Sequence, residues 1–120
     1  LTAQQLQGLQ LYQGDARCDV CHPLGLFTGG SFRALGLVPV AQDPGRGAVT
    51  GIPEDFGRFK TPSVRNAALK TTFLHNGRFT TMAQVVNFYV NGGGTFTPRD
   101  SELQPLGLDQ QEIVALLDFL

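Results

Sequence analysis

Both cysteines of this 120-residue chain fall within five positions, Cys18-Asp19-Val20-Cys21-His22, and the second is followed at once by a histidine. Two thiols three positions apart share one helical turn, so both can react along one edge of a flat partner. Each S–H can add across a vinyl C=C to leave a thioether, and two such bonds bring the next side chain, His22, beneath the partner's centre. That is the attachment pattern of c-type haem, with His22 as the proximal iron ligand. The motif predicts one covalent haem c and a function that runs through iron.

Other chemistries fit the same residues less well. A structural zinc site needs four ligands, and beyond the motif the chain offers one further histidine, His75, and no further cysteine. A thioredoxin-type C-x-x-C belongs in a β-α-β pattern that the sequence does not show. A tight Cys18–Cys21 disulfide in an exported protein leaves His22 without a role.

The elements that must position these residues are helical. Thr2-x-x-Gln5 is a capping box for a helix from about Thr2 to Gln13, with Leu6, Leu9 and Tyr12 along its apolar stripe. Gly14 ends it, and Cys18 to His22 follow on a short helical turn. Thr81-x-x-Gln84 opens a second helix to Val90, with Met82, Val85, Val86 and Tyr89 on its apolar face and Gly92-Gly93-Gly94 as the stop. Asp109-x-x-Glu112 opens a third, stapled by Leu108 and Ile113, with Leu116, Leu117 and Leu120 inward. From Pro23 to Thr61 turn signals dominate (Gly29-Gly30, Asp43-Pro44-Gly45, Gly51-Ile52-Pro53), and no stretch alternates long enough to build a sheet. Thr61-Pro62 reads as the start of a short helix. A loop of that length inside a compact domain needs something to wrap, and the haem edge is the candidate. The expected fold is an all-α, cytochrome c-like haem domain with a long haem-wrapping loop, one domain over residues 1–120.

Charge and hydropathy narrow the partners. Lys plus Arg number 9 against 10 for Asp plus Glu, a net charge of −1, so no field attracts nucleic acid or an anionic membrane. No apolar run reaches the ~18 residues of a membrane-spanning helix, so no membrane insertion is expected. No leader segment is visible, yet haem is attached to such motifs outside the cytoplasm. The chain is therefore expected to be a mature or excised domain of a periplasmic or otherwise exported protein.

With these elements placed, the sequence resembles the C-terminal haem domain of the bacterial di-haem cytochrome c peroxidase and MauG family. The matching stretches are Cys18–His22 with Leu26-Phe27-Thr28, Asp43-Pro44-Gly45-Arg46, Val49-Thr50-Gly51, Gly57-Arg58-Phe59-Lys60-Thr61-Pro62-Ser63-Val64-Arg65-Asn66, His75-Asn76-Gly77-Arg78-Phe79 and Val85-Val86-Asn87-Phe88-Tyr89. The resemblance implies an electron-transfer haem whose redox partner is another protein or a second haem domain. It implies that peroxide or oxygen reacts at that second haem, so no catalytic residue carries over. Relatives usually have Thr-x-Pro-Tyr before the His-x-Gly element, helping to hold a calcium ion; here those positions read Lys70-Thr71-Thr72-Phe73, and the lysine charge makes calcium doubtful.

The sixth iron ligand is open between two residues. The resemblance places it on the helix after His75-Asn76-Gly77, at a position that is Met or Tyr in relatives, and the gap-free register gives Tyr89. Methionine is the usual partner of histidine in electron-carrying cytochromes c, and Met82 is the only one in the chain. The two lie seven residues apart, about 10 Å along one helix, so one iron cannot take both. A vacant or water-filled position is the third reading. His75 is implied as a pocket histidine near the haem edge, the alternative being a turn histidine before Asn76-Gly77. Arg65 and Lys60 are candidates for the haem propionates, since a guanidinium matches a carboxylate bidentately. Three functions compete: an electron-transfer domain, a peroxidase or MauG-like oxidase with peroxide at an open iron, and a gas- or redox-sensing module.

Overall fold

Three capping boxes set the helical frame. The Thr2 hydroxyl accepts the Gln5 N–H at 3.1 Å while the Gln5 side chain accepts the Thr2 N–H at 2.9 Å. Thr81 and Gln84 repeat the exchange, and so do Asp109 and Glu112, the latter at 2.9 and 2.8 Å. In the computed structural model, which covers residues 1–120, the four α-helices are α1 (Ala3–Gln13), α2 (Gly47–Thr50), α3 (Met82–Val90) and α4 (Gln110–Phe119). Helix α3 leaves through Asn91 into Gly92 and Gly93, whose φ angles of 87° and 83° turn the chain where side chains would be strained.

The first and last helices pack directly on one another, only partly along the predicted stripe: Tyr12 is inward, Leu9 half-buried and Leu6 turned out. Gly8, Leu11 and Tyr12 are the buried residues of α1, whereas Leu6 is 48 % exposed. The reason is Gly8: a Cβ there would lie 2.1 Å from the Ala115 carbonyl oxygen of α4. The missing side chain lets two backbones meet, and that contact rotates the face of α1 that points inward. Tyr12, Ala16, Val86 and Leu116 form the core, with Phe27, Met82, Ile113, Leu117, Phe119 and Leu120 packed around it.

The middle of the chain is less featureless than its composition suggests. Phe32–Arg33 (β1) and Phe59–Lys60 (β2) pair antiparallel, Phe32 opposite Lys60 and Arg33 opposite Phe59. The architecture is helical with a small two-stranded sheet, not purely α. The helix expected after Thr61-Pro62 does not form; the next helical turn is a 3₁₀ turn at Ala67–Leu69. Thr61 is committed elsewhere: it is 5 % exposed, its N–H donates to the Ser31 carbonyl at 2.8 Å, and its carbonyl accepts the Thr28 hydroxyl at 2.6 Å. A residue held in that tie cannot also cap a helix.

Ion pairs fasten the loop. Asp100, its side chain 9 % exposed, accepts Arg58 Nη1 at 2.7 Å and lies 3.5 Å from Arg33 Nη1, which also lies 3.5 Å from Glu102. Arg46, a turn residue as its sequence context implies, donates through Nε to Asp55 at 3.0 Å, and Thr50 donates to the same oxygen at 2.8 Å. The Asp43–Arg46, Val49–Gly51 and Asp55–Lys60 stretches thus hold one another in place.

Candidate haem centre

Arg17, in the left-handed region at φ 50°, turns the chain out of α1 into a 3₁₀ turn over Cys18–Val20. The Cys21 and His22 N–H groups both donate to the Cys18 carbonyl, at 3.2 and 2.9 Å. One tight turn therefore carries both sulfurs and the imidazole. Both cysteines are free, half-buried thiols, so the disulfide reading finds no bond. Burial, then the Asp19 and Cys21 charges, push the Cys18 thiol up to about 12. Burial also raises Cys21, against the lowering field of Arg33. The pair is neutral at ordinary pH, the protonation state in which each sulfur carries the hydrogen that thioether formation transfers to the vinyl carbon.

The His22 ring makes its hydrogen bonds to backbone carbonyls. Its Nδ1 lies 3.0 Å from the Pro62 carbonyl oxygen and 3.2 Å from that of Phe27. Carbonyls only accept, so Nδ1 carries the proton and Nε2 keeps its lone pair, the tautomer an iron-ligating histidine requires. Burial lowers the His22 pKa, with the two carbonyl contacts opposing it, so the ring is neutral at ordinary pH. Two thiols and one imidazole with a free, oriented nitrogen are the donor set of haem c, and the residues present fit it. No three His, Cys, Asp or Glu side chains gather where they could hold a bare metal ion.

The two sixth-ligand candidates lie at opposite ends of α3. Met82 packs against the Tyr12–Ala16–Val86–Leu116 core. Tyr89 is half-buried at the other end of α3, its ring edge-on to Phe88 at 5.2 Å; burial raises its phenol pKa, and the Cys21 and Cys18 charges raise it further.

The remaining predicted residues are not gathered at one place. The Arg65 guanidinium donates to the Gly25 carbonyl and lies 5.1 Å from the centre of the Phe27 ring. Lys60 is exposed on β2, at the rim of an open cavity of about 310 Å³ that it shares with Arg46 and Arg58. His75 stacks on Phe59 at 3.5 Å and 7°, and its Nε2 lies 3.2 Å from Asp43. It is built into the Asp43–Phe59 loop and is more than a turn residue. Two contributors to the site had no signature in the sequence: the Phe27 and Pro62 carbonyls, because backbone acceptors are common to every residue. The stretches quoted above contain both residues, but only the fold brings them to His22.

No protein-family model matches the chain. Individual proteins do. The cytochrome-c peroxidase IdrP1 of Pseudomonas sp. (strain SCT) is 32 % identical across all of this chain, which spans 40 % of that protein. The methylamine utilization protein MauG of Methylorubrum extorquens is 31 % identical over 98 % of the chain and 34 % of its own length. The chain belongs to the bacterial cytochrome c peroxidase and MauG family. Its fold agrees: the crystal structure of a MauG-like protein associated with microbial copper homeostasis superposes with a TM-score of 0.82 at 26 % identity, over 99 % of this chain and 46 % of that one. The chain thus spans less than half the length of each of these peroxidase and MauG relatives. No helix in it is long and apolar enough to cross a membrane.

Proposed function

We propose that the chain is a c-type haem domain that transfers electrons, the electron-supplying half of a protein of the peroxidase and MauG family. The observation that carries this is the attachment turn itself: two neutral thiols and, beside them, an imidazole whose Nδ1 is tied to Phe27 and Pro62 so that Nε2 is free. In this reading Cys18 and Cys21 form the two thioethers and His22 is the proximal ligand. When bound, the haem supplies a one-electron Fe(III)/Fe(II) couple. The chain's part is to hold it, keep water from it and set the affinity of the two oxidation states. The loop from Pro23 to Thr61 covers the haem, with Arg65 beside Phe27 the nearest of the predicted edge residues to the His22 contacts, and the electron leaves to a partner protein or a second haem domain outside the cytoplasm.

Tyr89 is the proposed sixth ligand. The gap-free register from His75-Asn76-Gly77 into α3 supports it, and Met82 packs against the core. A phenol gives up its proton more readily beside Fe(III), as metal-bound water does, and an anionic oxygen favours the ferric state. Tyr89→Phe should therefore change the ferric absorption spectrum and raise the reduction potential. Met82→Leu should change neither and should cost less than about 1.5 kcal/mol of stability, because the volumes are similar. The reverse pattern, with Met82→Leu turning the ferric iron high-spin and Tyr89→Phe silent, assigns the ligand to Met82. A second reading, catalysis of peroxide reduction by the chain itself, draws on the peroxidase names of its relatives. A tyrosine in the sixth position speaks against it, because peroxide then has no coordination site.

A further inference from the structure

Tyr12 is the most deeply buried large side chain of α1, at 0 % exposure. Its ring meets Phe119 of α4 edge-on at 5.4 Å and Phe27 edge-on at 5.9 Å. A phenylalanine would serve that packing equally well. The hydroxyl is what packing leaves unexplained, and a buried hydroxyl is costly unless it finds a partner. Here the partner is the His22 carbonyl oxygen, at 2.5 Å. No backbone N–H donates to that carbonyl, so the Tyr12 hydroxyl is its one donor within the protein.

The same tyrosine therefore touches the histidine from two directions. Through its hydroxyl it holds the His22 main chain at the end of the 3₁₀ turn. Through its ring it supports Phe27, whose own carbonyl receives His22 Nδ1 at 3.2 Å. Helix α1 packs in turn directly on α4, so the orientation of the imidazole is referred to that helix pair.

We propose that Tyr12 is a positioning residue for His22: its hydroxyl pins the His22 backbone so that Nδ1–H keeps its carbonyl contacts and Nε2 stays a strong donor. The proposal rests on the reading of His22 as an iron ligand. A hydrogen bond from Nδ1–H increases the basicity of the opposite nitrogen, and a stronger donor stabilises Fe(III) over Fe(II). Loss of the hydroxyl loosens the turn, weakens those contacts and shifts the couple toward the ferrous form.

The test is Tyr12→Phe in the full haem-loaded chain, with Phe119→Leu as a control that trims the same core without reaching the His22 carbonyl. Two readouts are followed: the ferric-to-ferrous ratio at a fixed applied potential, and solvent exchange of the His22 Nδ1 proton by NMR in the ferrous state. Tyr12→Phe should move the ratio about threefold toward ferrous, below the ~10–100-fold effects of groups bonded directly to a metal ligand. It should also speed Nδ1 exchange. Phe119→Leu should lower the melting temperature and leave both readouts in place. If Tyr12→Phe lowers the melting temperature alone, or if both variants move the ratio alike, Tyr12 is a core residue and the proposal is overturned. If the unmodified chain carries no covalent haem, the assignment of His22 falls first, and the proposal with it, before any variant is made.

Discussion

Replacing Gly8 with alanine should destabilise the chain by about 3 kcal/mol, and replacing it with valine should leave most of it unfolded. At an exposed helical position the alanine change is favourable by up to about 1 kcal/mol, because glycine is the poorer helix former. The sign reverses here because of what lies across the interface. An added Cβ would stand 2.1 Å from the Ala115 carbonyl oxygen, 2.7 Å from the Phe119 Cβ and 2.8 Å from the Ala115 carbonyl carbon. Two of those three atoms are backbone, so no rotamer change relieves the clash. The helices must separate, and separation opens the Tyr12–Leu116 core that both build. Domains of this size have only about 5–15 kcal/mol to lose. Urea unfolding followed by far-ultraviolet circular dichroism reads the effect, and a Gly8→Ala chain as stable as its parent would show that α1 and α4 do not meet at that point.

Asp100→Ala should cost about 3 kcal/mol, next in size. The carboxylate is nearly buried and faces two guanidiniums, Arg33 at 3.5 Å and Arg58 at 2.7 Å. Removing one member of a buried ionic group costs about 3–5 kcal/mol, because the partners are left uncompensated. The arginines here are 26 % and 32 % exposed, so water recovers part of their charge and the lower end applies. The loss is also positional. Arg33 belongs to β1, Arg58 precedes β2, and the Asp100 N–H donates to the Ala34 carbonyl at 2.9 Å. One aspartate thus fastens the segment after α3 to both sides of the small sheet. Thermal melting should show the drop, with slower recovery of the loop than of the helices. An unchanged melting temperature would mean that the sheet does not depend on this cluster.

Which parts of the molecule were legible from the residues follows a physical division. The three long helices were, because a capping box is local: the residues that close it lie three positions apart and need nothing from the rest of the chain. The donor set was legible for the same reason, since Cys18, Cys21 and His22 occupy one turn. The α1 face was legible at Tyr12 but not at Leu6, because Gly8 acts by lacking a side chain and counting apolar side chains cannot see it. Thr61-Pro62 has the local form of a helix start, but Thr28 and Ser31, some thirty positions earlier, claim its hydrogen bonds. The sheet of two residues per strand is too short to leave an alternating pattern. The Arg33–Asp100–Arg58 cluster joins residues 42 positions apart or more, a distance over which charge spacing says nothing. His75 illustrates the mixed case: a loop histidine was recognisable as unusual, while its stack on Phe59 and its pairing with Asp43 exist only in the fold.

The most direct measurement is a pyridine haemochrome spectrum of the purified chain after acid–acetone extraction. Haem held by thioethers from Cys18 and Cys21 stays with the protein, so the expected result is a c-type spectrum in the protein fraction at one haem per chain. Haem that passes into the organic phase, or a chain that carries none, would contradict the assignment of Cys18, Cys21 and His22.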